Sequence, residues 1–351
     1  MSHPVLQQLA SRPLPWLAEI AEPGGIVVSS RVRLARNLAG VPFPHRAAAG
    51  DLRGVLDQVR AAAKAGDGLG GATCFQLADL SLVERLVLLE RRLTSADLNA
   101  DPAERAVWVT PDETASLMVN EEDHLRLQVL LPGLRLGQAL DQARRLDTAL
   151  LARLTPAYRD DLGFLTCCPT NLGTGLRASV MLHLPGLVLG GRIEPAVRAL
   201  SRLGLAVRGA FGETQETVAH FVQISNQSSL GETEDEILAN LEHYVRSLVW
   251  AEENARKDLV RRQKDLLYDH VGRAYAIVRY AYCLTSKEAL DCFSALRFGV
   301  ELGLFGNLTH DIIQQLCREL PSGHLQMLQG TQPESAVRDR WRAARARAAL
   351  A

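Results

Sequence analysis

This 351-residue chain lacks paired cysteines, long apolar runs and an excess of either charge. Its six cysteines occur without a Cys-x-x-Cys pair, which argues against a zinc site and a secreted disulfide framework. No stretch is long and apolar enough to cross a bilayer, and Met1–Ala21 lacks a basic start followed by an apolar run. We therefore expect no membrane span, no signal peptide and a reducing, cytoplasmic location.

Two common nucleotide-binding signatures are also missing. No loop ends in Gly-Lys-Ser/Thr, and no Gly-x-Gly-x-x-Gly follows a strand pattern. The formal net charge of −1 provides no overall attraction to nucleic acid or to an anionic membrane. Any charged ligand must therefore be recognised by a local cluster of residues.

The residue patterns predict an α/β (α+β) fold, with a largely antiparallel sheet flanked by helices and a smaller helical domain at the C-terminus. Strand patterns cover Ile26–Leu34, Ala106–Val109, Ser116–Asn120, Leu125–Leu131, Phe164–Cys168, Leu176–Leu184, Leu205–Ala210 and His220–Gln227. Helical patterns cover Gly50–Ala65, Gln138–Leu154, Ile193–Leu203, Asp235–Leu267 and Ser286–Leu302. We divide the chain into an N-terminal segment (1–23), a main domain (24–255) and a helical C-terminal domain (256–351).

The segment Asn120–Arg126 concentrates charge between two strand patterns. Glu121, Glu122 and Asp123 follow an apolar strand, and Arg126 lies on the polar face of the next one. Taken alone, the segment favours a solvated hairpin tip, because most charge clusters face water.

Arginines occur at comparable places in three other segments. Strand periodicity directs Arg31 and Arg33 to one face, and Arg177 follows a glycine-containing loop that begins at Cys168. Arg208 precedes a glycine-rich turn that ends in Glu213. Each segment has an alternative interpretation as surface arginines or a tight structural turn. Together with Glu122 and Arg126, however, they describe a cradle for phosphates that faces two carboxylates.

Four motifs in this order resemble the phosphagen (guanidino) kinase family. They are Ser29-Ser30-Arg31-Val32-Arg33, Asn120-Glu121-Glu122-Asp123-His124, Cys168-Pro169-Thr170-Asn171-Leu172-Gly173-Thr174-Gly175 and Arg208-Gly209-Ala210-Phe211-Gly212-Glu213. The resemblance implies the family's catalytic fold, ATP as phosphoryl donor and Mg²⁺ bound through phosphates and water.

Two features indicate the subgroup that phosphorylates arginine in proteins. Kinases of free guanidino compounds carry an extra helical domain of roughly a hundred residues before the first arginine motif, whereas this motif begins at Ser29 here. The sequence Arg338-Asp339-Arg340-Trp341-Arg342-Ala343 also fits the Arg-Asp-x-x-Arg-Ala signature with which that subgroup binds phosphoarginine. The alternative for this segment is a basic surface helix.

The resemblance assigns roles to individual residues. Glu122 is the expected base, Glu213 holds the substrate guanidino group, and Cys168 lies beside it as a thiolate contact, a redox-sensitive brake or a small buried residue. Arg92 stands near the position of the family's adenine-side histidine. Allosteric phosphoarginine binding is expected at Arg338, Asp339, Arg342 and Ala343. The expected ATP contacts are Ser29, Ser30, Arg31, Val32, Arg33, Arg92, Arg126, Arg177, Ala178, Ser179, Val180, Met181, Arg208, Gly209, Ala210, Phe211, Gly212 and Glu213.

The sequence thus predicts a protein-arginine kinase that marks proteins for Clp-type degradation in stress-related quality control. The alternatives are a kinase of free arginine or another small guanidine, and a phosphoarginine-binding adaptor without catalysis. By resemblance, the expected partners are protein substrates, a zinc-finger activator, a Clp-type unfoldase, a heat-shock repressor and a second copy of the chain. No direct nucleic-acid partner is expected.

Overall fold

The computed structural model describes residues 3–17, 25–65, 69, 71–209 and 218–350. The predicted site residues Ala210, Phe211, Gly212 and Glu213 lie outside these ranges.

Eight strands form one antiparallel sheet in the order β2-β3-β4-β5-β1-β8-β10-β9, and β6 pairs with β7 separately. The strands are β1 (Val27–Arg36), β2 (Thr73–Gln76), β3 (Ala106–Val109), β4 (Ala115–Val119), β5 (Leu125–Pro132), β6 (Tyr158–Arg159), β7 (Gly163–Phe164), β8 (Leu176–His183), β9 (Leu205–Gly209) and β10 (Phe221–Asn226). The two longest-range pairings place β1 between β5 and β8 at the centre of the sheet. The predicted antiparallel sheet is therefore confirmed.

The helices flank this sheet and then form the C-terminal part of the chain. They are α1 (Pro4–Ser11), α2 (Ala49–Ala65), α3 (Leu82–Glu90), α4 (Ala96–Ala100), α5 (Leu136–Leu151), α6 (Pro185–Leu189), α7 (Ile193–Arg202), α8 (Glu234–Arg262), α9 (Lys264–Tyr280), α10 (Ser286–Glu301), α11 (His310–Glu319), α12 (Ser322–Gln329) and α13 (Ser335–Ala349). Within the described ranges, none of these helices combines the length and apolarity that a membrane span requires.

Two predicted elements differ from the structure. The predicted strand Phe164–Cys168 is wrong, because the strand covers only Gly163–Phe164, and Cys167 donates its backbone N–H to the side chain of Asp123 instead of to a neighbouring strand. The predicted helix Asp235–Leu267 is interrupted at Gln263, whose φ of −134° separates α8 from α9. Residue 255, the predicted domain boundary, lies inside α8.

The two faces of the sheet differ in chemistry. Alternate residues of the central strands, including Val32, Leu34, Val129 and Val180, are fully buried in one aliphatic cluster with α5 and α8. The intervening residues point to the opposite face. Because one face supplies most of the core, the other can carry polar side chains.

Buried ion pairs join α8 to the rest of the molecule. Glu252 is 0% exposed and accepts the backbone N–H groups of Gly186 and Leu187, each at 2.8 Å. It also accepts Nε of Arg256 at 2.7 Å, and Arg256 donates to Glu301 of α10 at 3.0 Å. A buried carboxylate with this many partners fixes the position of α8 relative to α6 and α10.

We expect Glu252→Ala to lower the free energy of unfolding by about 3–5 kcal/mol, because it leaves a buried guanidinium and two N–H groups without their acceptor. Urea unfolding followed by circular dichroism measures the change. The control is Glu242→Ala on the same helix, which removes an exposed pair with Arg246 at the same four-residue spacing. It should alter stability by less than about 1 kcal/mol. Equal losses in both variants would contradict a structural role for the buried pair.

Candidate functional site

Three of the predicted phosphate-binding arginines meet on the two central strands. Arg33 of β1 lies directly opposite Arg177 of β8, and Arg31 lies opposite Ser179. Residues that face each other across an antiparallel pair project to the same side of the sheet. Arg31, Arg33 and Arg177 therefore share the polar face.

The outer strands add the remaining two arginines to this face. On β5, Arg126 lies opposite Ala35, which follows Arg33 at period two along β1. On β9, Arg208 lies opposite Gln223, and Gln223 lies opposite Met181 on the same face of β8 as Arg177. All five arginines predicted from the sequence thus converge on one face of four strands.

Burial and mutual repulsion both change the pKa values of Arg31 and Arg33. Burial, followed by the charges of Arg92, Arg126 and Arg177, lowers the pKa of Arg31 to about 9. Burial and the same kind of repulsion lower the pKa of Arg33 well below its ordinary value. Among the described residues, the buried Nε atoms of Arg33 and Arg177 have no hydrogen-bond partner. Buried guanidinium groups that repel one another fit a ligand with several negative charges.

Neutral side chains orient Arg31 and Arg177 without cancelling their charge. Arg31 donates to Oε1 of Gln223 at 2.7 Å and to Oγ of Ser179 at 3.4 Å. Arg177 donates to Oγ of Ser225 at 3.2 Å. Amide and hydroxyl oxygens hold each guanidinium in place and leave its positive charge for a ligand.

The acidic cluster forms the turn between β4 and β5. Asn120 adopts a left-handed conformation with φ of 60°, and its Nδ2 donates to the carbonyls of Leu52 and Glu104 at 2.9 and 2.8 Å. Glu121 is buried, pairs with Arg126 and accepts Oγ of Ser95 at 2.6 Å. The side chains of Asn120 and Glu121 therefore stabilise the turn.

Asn37, which follows β1, is a site residue that the sequence analysis missed. It is fully buried, its Oδ1 accepts the N–H of His124 at 2.9 Å, and its Nδ2 donates to Asp123 at 2.6 Å. The carboxylate of Asp123 also accepts the N–H of Cys167 at 2.7 Å. The available sequence signal was a lone asparagine at the end of a buried strand.

Among the described residues, none bonds to the carboxylate of neighbouring Glu122, which is exposed.

Glu122 has the electrostatic environment of a base. Partial desolvation, followed by the negative charges of Asp123 and Glu121, raises its pKa above the ordinary value. The positive charges of Arg126 and Arg33 oppose this change. Glu122 therefore binds a proton more readily than an isolated glutamate but remains next to the cationic face.

Cys168 and Glu122 lie within electrostatic range of the same arginine. Burial, followed by the charges of Arg208 and Arg126, lowers the pKa of Arg177, while the charges of Cys168 and Glu122 act in the opposite direction. The thiol of Cys168 lies 3.0 Å from Oγ1 of Thr170. The carboxylate of Glu122 and the thiol of Cys168 therefore both lie near Arg177 at this end of the sheet.

The loop after Cys168 requires glycine where it meets β1. Gly175 has φ of +68°, and a Cβ there would lie 2.5 Å from the carbonyl oxygen of Ala35 and 2.4 Å from the guanidinium of Arg36. The backbone N–H of Ala35 donates to the carbonyl of Gly175 at 2.9 Å. This close approach holds the loop against β1.

An apolar cavity of about 610 Å³ continues from the arginine face towards the helical part of the chain. Its lining includes Arg31, Arg92, Trp16, Met181 and Phe221. The guanidinium of Arg92 lies 4.6 Å from the centre of the Trp16 ring, and burial lowers the pKa of Arg92 to about 10. An apolar space next to a cationic surface suits a flat base that is attached to phosphates.

The predicted phosphoarginine residues lie on α13, in a different region from the sheet. Arg342 is 1% exposed and donates to the carbonyls of Leu320 and Leu284 at 2.9 and 2.8 Å. It also pairs with Asp339, while Arg338 is half-buried and donates to the carbonyl of Pro333 at 2.7 Å. Ala343 is buried. Arg342 therefore joins three segments of the helical part, and Arg338 is the more accessible of the two arginines.

Among the described residues, no three His, Cys, Asp or Glu side chains are grouped in a way that could hold a metal ion.

Comparisons with known proteins match the chain over most of its length. Two family models match, "ATP:guanido phosphotransferase, C-terminal catalytic domain" over residues 55–255 and "Protein-arginine kinase McsB C-terminal domain" over residues 264–351. A protein-arginine kinase of Pelotomaculum thermopropionicum is 40% identical over 331 residues, which cover 93% of each chain. One of Moorella thermoacetica is 42% identical over 339 residues, which cover 96% of this chain and 97% of that one.

Solved structures also match the fold. A lombricine kinase superposes with a TM-score of 0.57 at 25% identity, covering 73% of this chain and 72% of that one. A duplicated taurocyamine kinase of Schistosoma mansoni superposes with a TM-score of 0.55 at 29% identity, covering 70% of this chain and 35% of that one.

The charges around Glu122 predict opposite pKa changes in two variants. Asp123→Asn removes a negative charge that favours protonation, so the pKa of Glu122 should fall. Arg126→Gln removes a positive charge that favours ionisation, so this pKa should rise. Carboxyl ¹³C NMR titration of the ligand-free protein measures both shifts. Movement in the same direction in the two variants would contradict the electrostatic assignment.

Proposed function

The chain belongs to the ATP:guanido phosphotransferase family, and from this premise we propose how it transfers the γ-phosphoryl group of ATP to arginine side chains of proteins. The observation that carries the proposal is the convergence of five arginines on one sheet face beside the exposed carboxylate of Glu122. The protein-arginine kinases with which it shares 40% or more identity support proteins as the acceptors.

The arginine face is the proposed triphosphate site. Arg31, Arg33, Arg126, Arg177 and Arg208 supply positive charge, and the unpartnered Nε atoms of Arg33 and Arg177 supply hydrogen-bond donors that are already oriented. Mg²⁺ bound to the phosphates would add further positive charge, held by phosphate oxygens and water. The apolar cavity beside Arg92 and Trp16 is the proposed place for the base.

Glu122 is the proposed general base. The guanidinium of a substrate arginine has a pKa above about 12, so it arrives protonated and without a nucleophilic lone pair. As its nitrogen forms a bond to the γ-phosphorus, the bond from phosphorus to the leaving ADP oxygen breaks. The nitrogen's proton passes to the carboxylate of Glu122. The raised pKa of Glu122 brings donor and acceptor closer in proton affinity.

Positioning contributes more to the rate than the base alone. General-base catalysis supplies about 10²–10⁴-fold, whereas effective molarities for well-oriented reactants reach about 10⁵–10⁸ M. The network of Asn37, Asp123 and Glu121 holds the turn that presents Glu122. We propose that Glu213, outside the described residues, binds the other guanidino nitrogens, and that Cys168 contacts the same group.

The finer biological assignments rest on the subgroup. We propose phosphoarginine binding by the segment Arg338–Ala343, together with action in a quality-control pathway that involves a zinc-finger activator, a Clp-type unfoldase and a heat-shock repressor. Dimerisation through the helical part is supported by the exposed side chains of Tyr280 and Tyr282. Six free cysteines support a reducing cytoplasm.

Replacing the base tests the mechanism. We expect Glu122→Gln to lower kcat by about 10²–10⁴-fold, because the amide accepts no proton, while the Kd for ATP changes little. Radiolabelled ATP and an arginine-rich protein acceptor measure turnover, and the label should be acid-labile and stable to alkali. Glu194→Gln, on the exposed face of α7, is the control. Normal turnover in Glu122→Gln would disprove the assignment. Preferential labelling of free arginine would disprove the protein acceptor.

The two arginines of α13 should differ when they are replaced. Arg338→Ala should abolish binding of free phosphoarginine in calorimetry with little change in Tm, because Arg338 is half-buried and has one backbone acceptor. Arg342→Ala should lower Tm as well, because it removes a buried group that bonds two carbonyls and Asp339. Unchanged phosphoarginine binding in Arg338→Ala would contradict the proposed site.

A further inference from the structure

The last residue of α3 connects the main sheet domain to the helical part of the chain. The carboxylate of Glu90 accepts the backbone N–H of Gly323 at 2.6 Å and that of His324 at 2.9 Å, at the start of α12. It also lies 2.7 Å from Nδ1 of His324, which is 1% exposed. One carboxylate thus binds the first turn of α12 through three contacts.

The residues that follow Glu90 reach the proposed nucleotide site. Arg91 is buried and held by a bidentate pair with Glu113, at 2.5 and 2.8 Å, and by the carbonyl of Pro13 at 3.0 Å. Arg92 has φ of 63°, and its carbonyl accepts Nε2 of Gln128 at 2.7 Å. Glu90 and Arg92 lie two residues apart at the end of α3, and both line the apolar cavity, so a displacement of Glu90 changes the backbone that carries Arg92.

The other end of the connection is the buried arginine of α13. Arg342 donates to the carbonyl of Leu320 at 2.9 Å and contacts Oγ of Ser322 at 3.4 Å. These two residues immediately precede Gly323, whose N–H binds Glu90. A displacement of Arg342 would therefore be passed to the start of α12.

The contact between α3 and α12 has no spare volume. A Cβ at Gly323 would lie 2.8 Å from Cβ of Leu86 and 2.9 Å from Oε2 of Glu90. Any side chain at this position must move α12 away from α3 or displace the carboxylate.

We propose that Glu90 is a positioning residue for the nucleotide, which links the Arg342 region of α13 through the start of α12 to Arg92. The inference rests on the proposed function only in placing Arg92 at the nucleotide. Although Glu90 also lines the cavity, the proposal assigns its effect on nucleotide affinity to Arg92. Glu90 itself takes no part in the chemistry.

A double-mutant cycle of Glu90→Gln and Arg92→Ala tests the proposal. Each single variant should raise the Kd of the Mg²⁺ complex of AMP-PNP by about tenfold, which corresponds to the loss of one charge-assisted contact. The KM for ATP should rise in parallel, with kcat within about twofold. In the Arg92→Ala background, Glu90→Gln should have no further effect, because its influence acts through Arg92.

Glycine substitutions provide a second route to the same result. Gly323→Ala should raise the Kd of AMP-PNP as Glu90→Gln does, whereas Gly272→Ala, in open space on α9, should not. Additive effects in the double variant, or an unchanged Kd in Arg92→Ala or in a folded Gly323→Ala, would overturn the proposal. Calorimetry with AMP-PNP needs no turnover, so absence of arginine phosphorylation by the wild-type protein would contradict the proposed function alone.

Discussion

The repulsion among five guanidinium groups on one sheet face is the constraint on which the rest of the structure depends. Burial, followed by the positive charges of nearby arginines, lowers the pKa values of Arg31 and Arg33. The aliphatic core on the opposite face holds the strands in this arrangement, because a shift in register by one residue would move every arginine into that core. An anionic ligand that relieved the repulsion would have to match this face in charge and in spacing.

The turn between β4 and β5 carries three carboxylates, which differ in the groups that they contact. Glu121 is bound by Arg126 and Ser95, and Asp123 is bound by Asn37 and the backbone of Cys167. Their negative charges remain close to Glu122 and raise its pKa, although neither carboxylate is free to react. Groups that stabilise the turn thus also tune the exposed carboxylate of Glu122.

Carboxylates that bind several donors, and not apolar contacts alone, join the helical part of the chain to the sheet. Glu252 and Glu301 bind α8 to α6 and α10, and Glu90 binds α12 to the end of α3. A carboxylate accepts hydrogen bonds from donors in fixed directions, and a buried one carries a large penalty for losing them. Movements of the helical part should therefore be transmitted to particular residues of the site.

Local patterns in the sequence determined the antiparallel sheet and the shared strand face of the arginines, since period-two alternation is encoded by neighbouring residues. Contiguous motifs predicted Glu122 as the base through the family resemblance. The tertiary structure alone decided the role of Asn37, which bonds residues 86 and 87 positions away. It also decided the break at Gln263, the loop in place of a strand at Phe164–Cys168 and the burial of Arg342. Each of these depends on acceptors or packing partners that are distant in sequence, and no local periodicity records such partners.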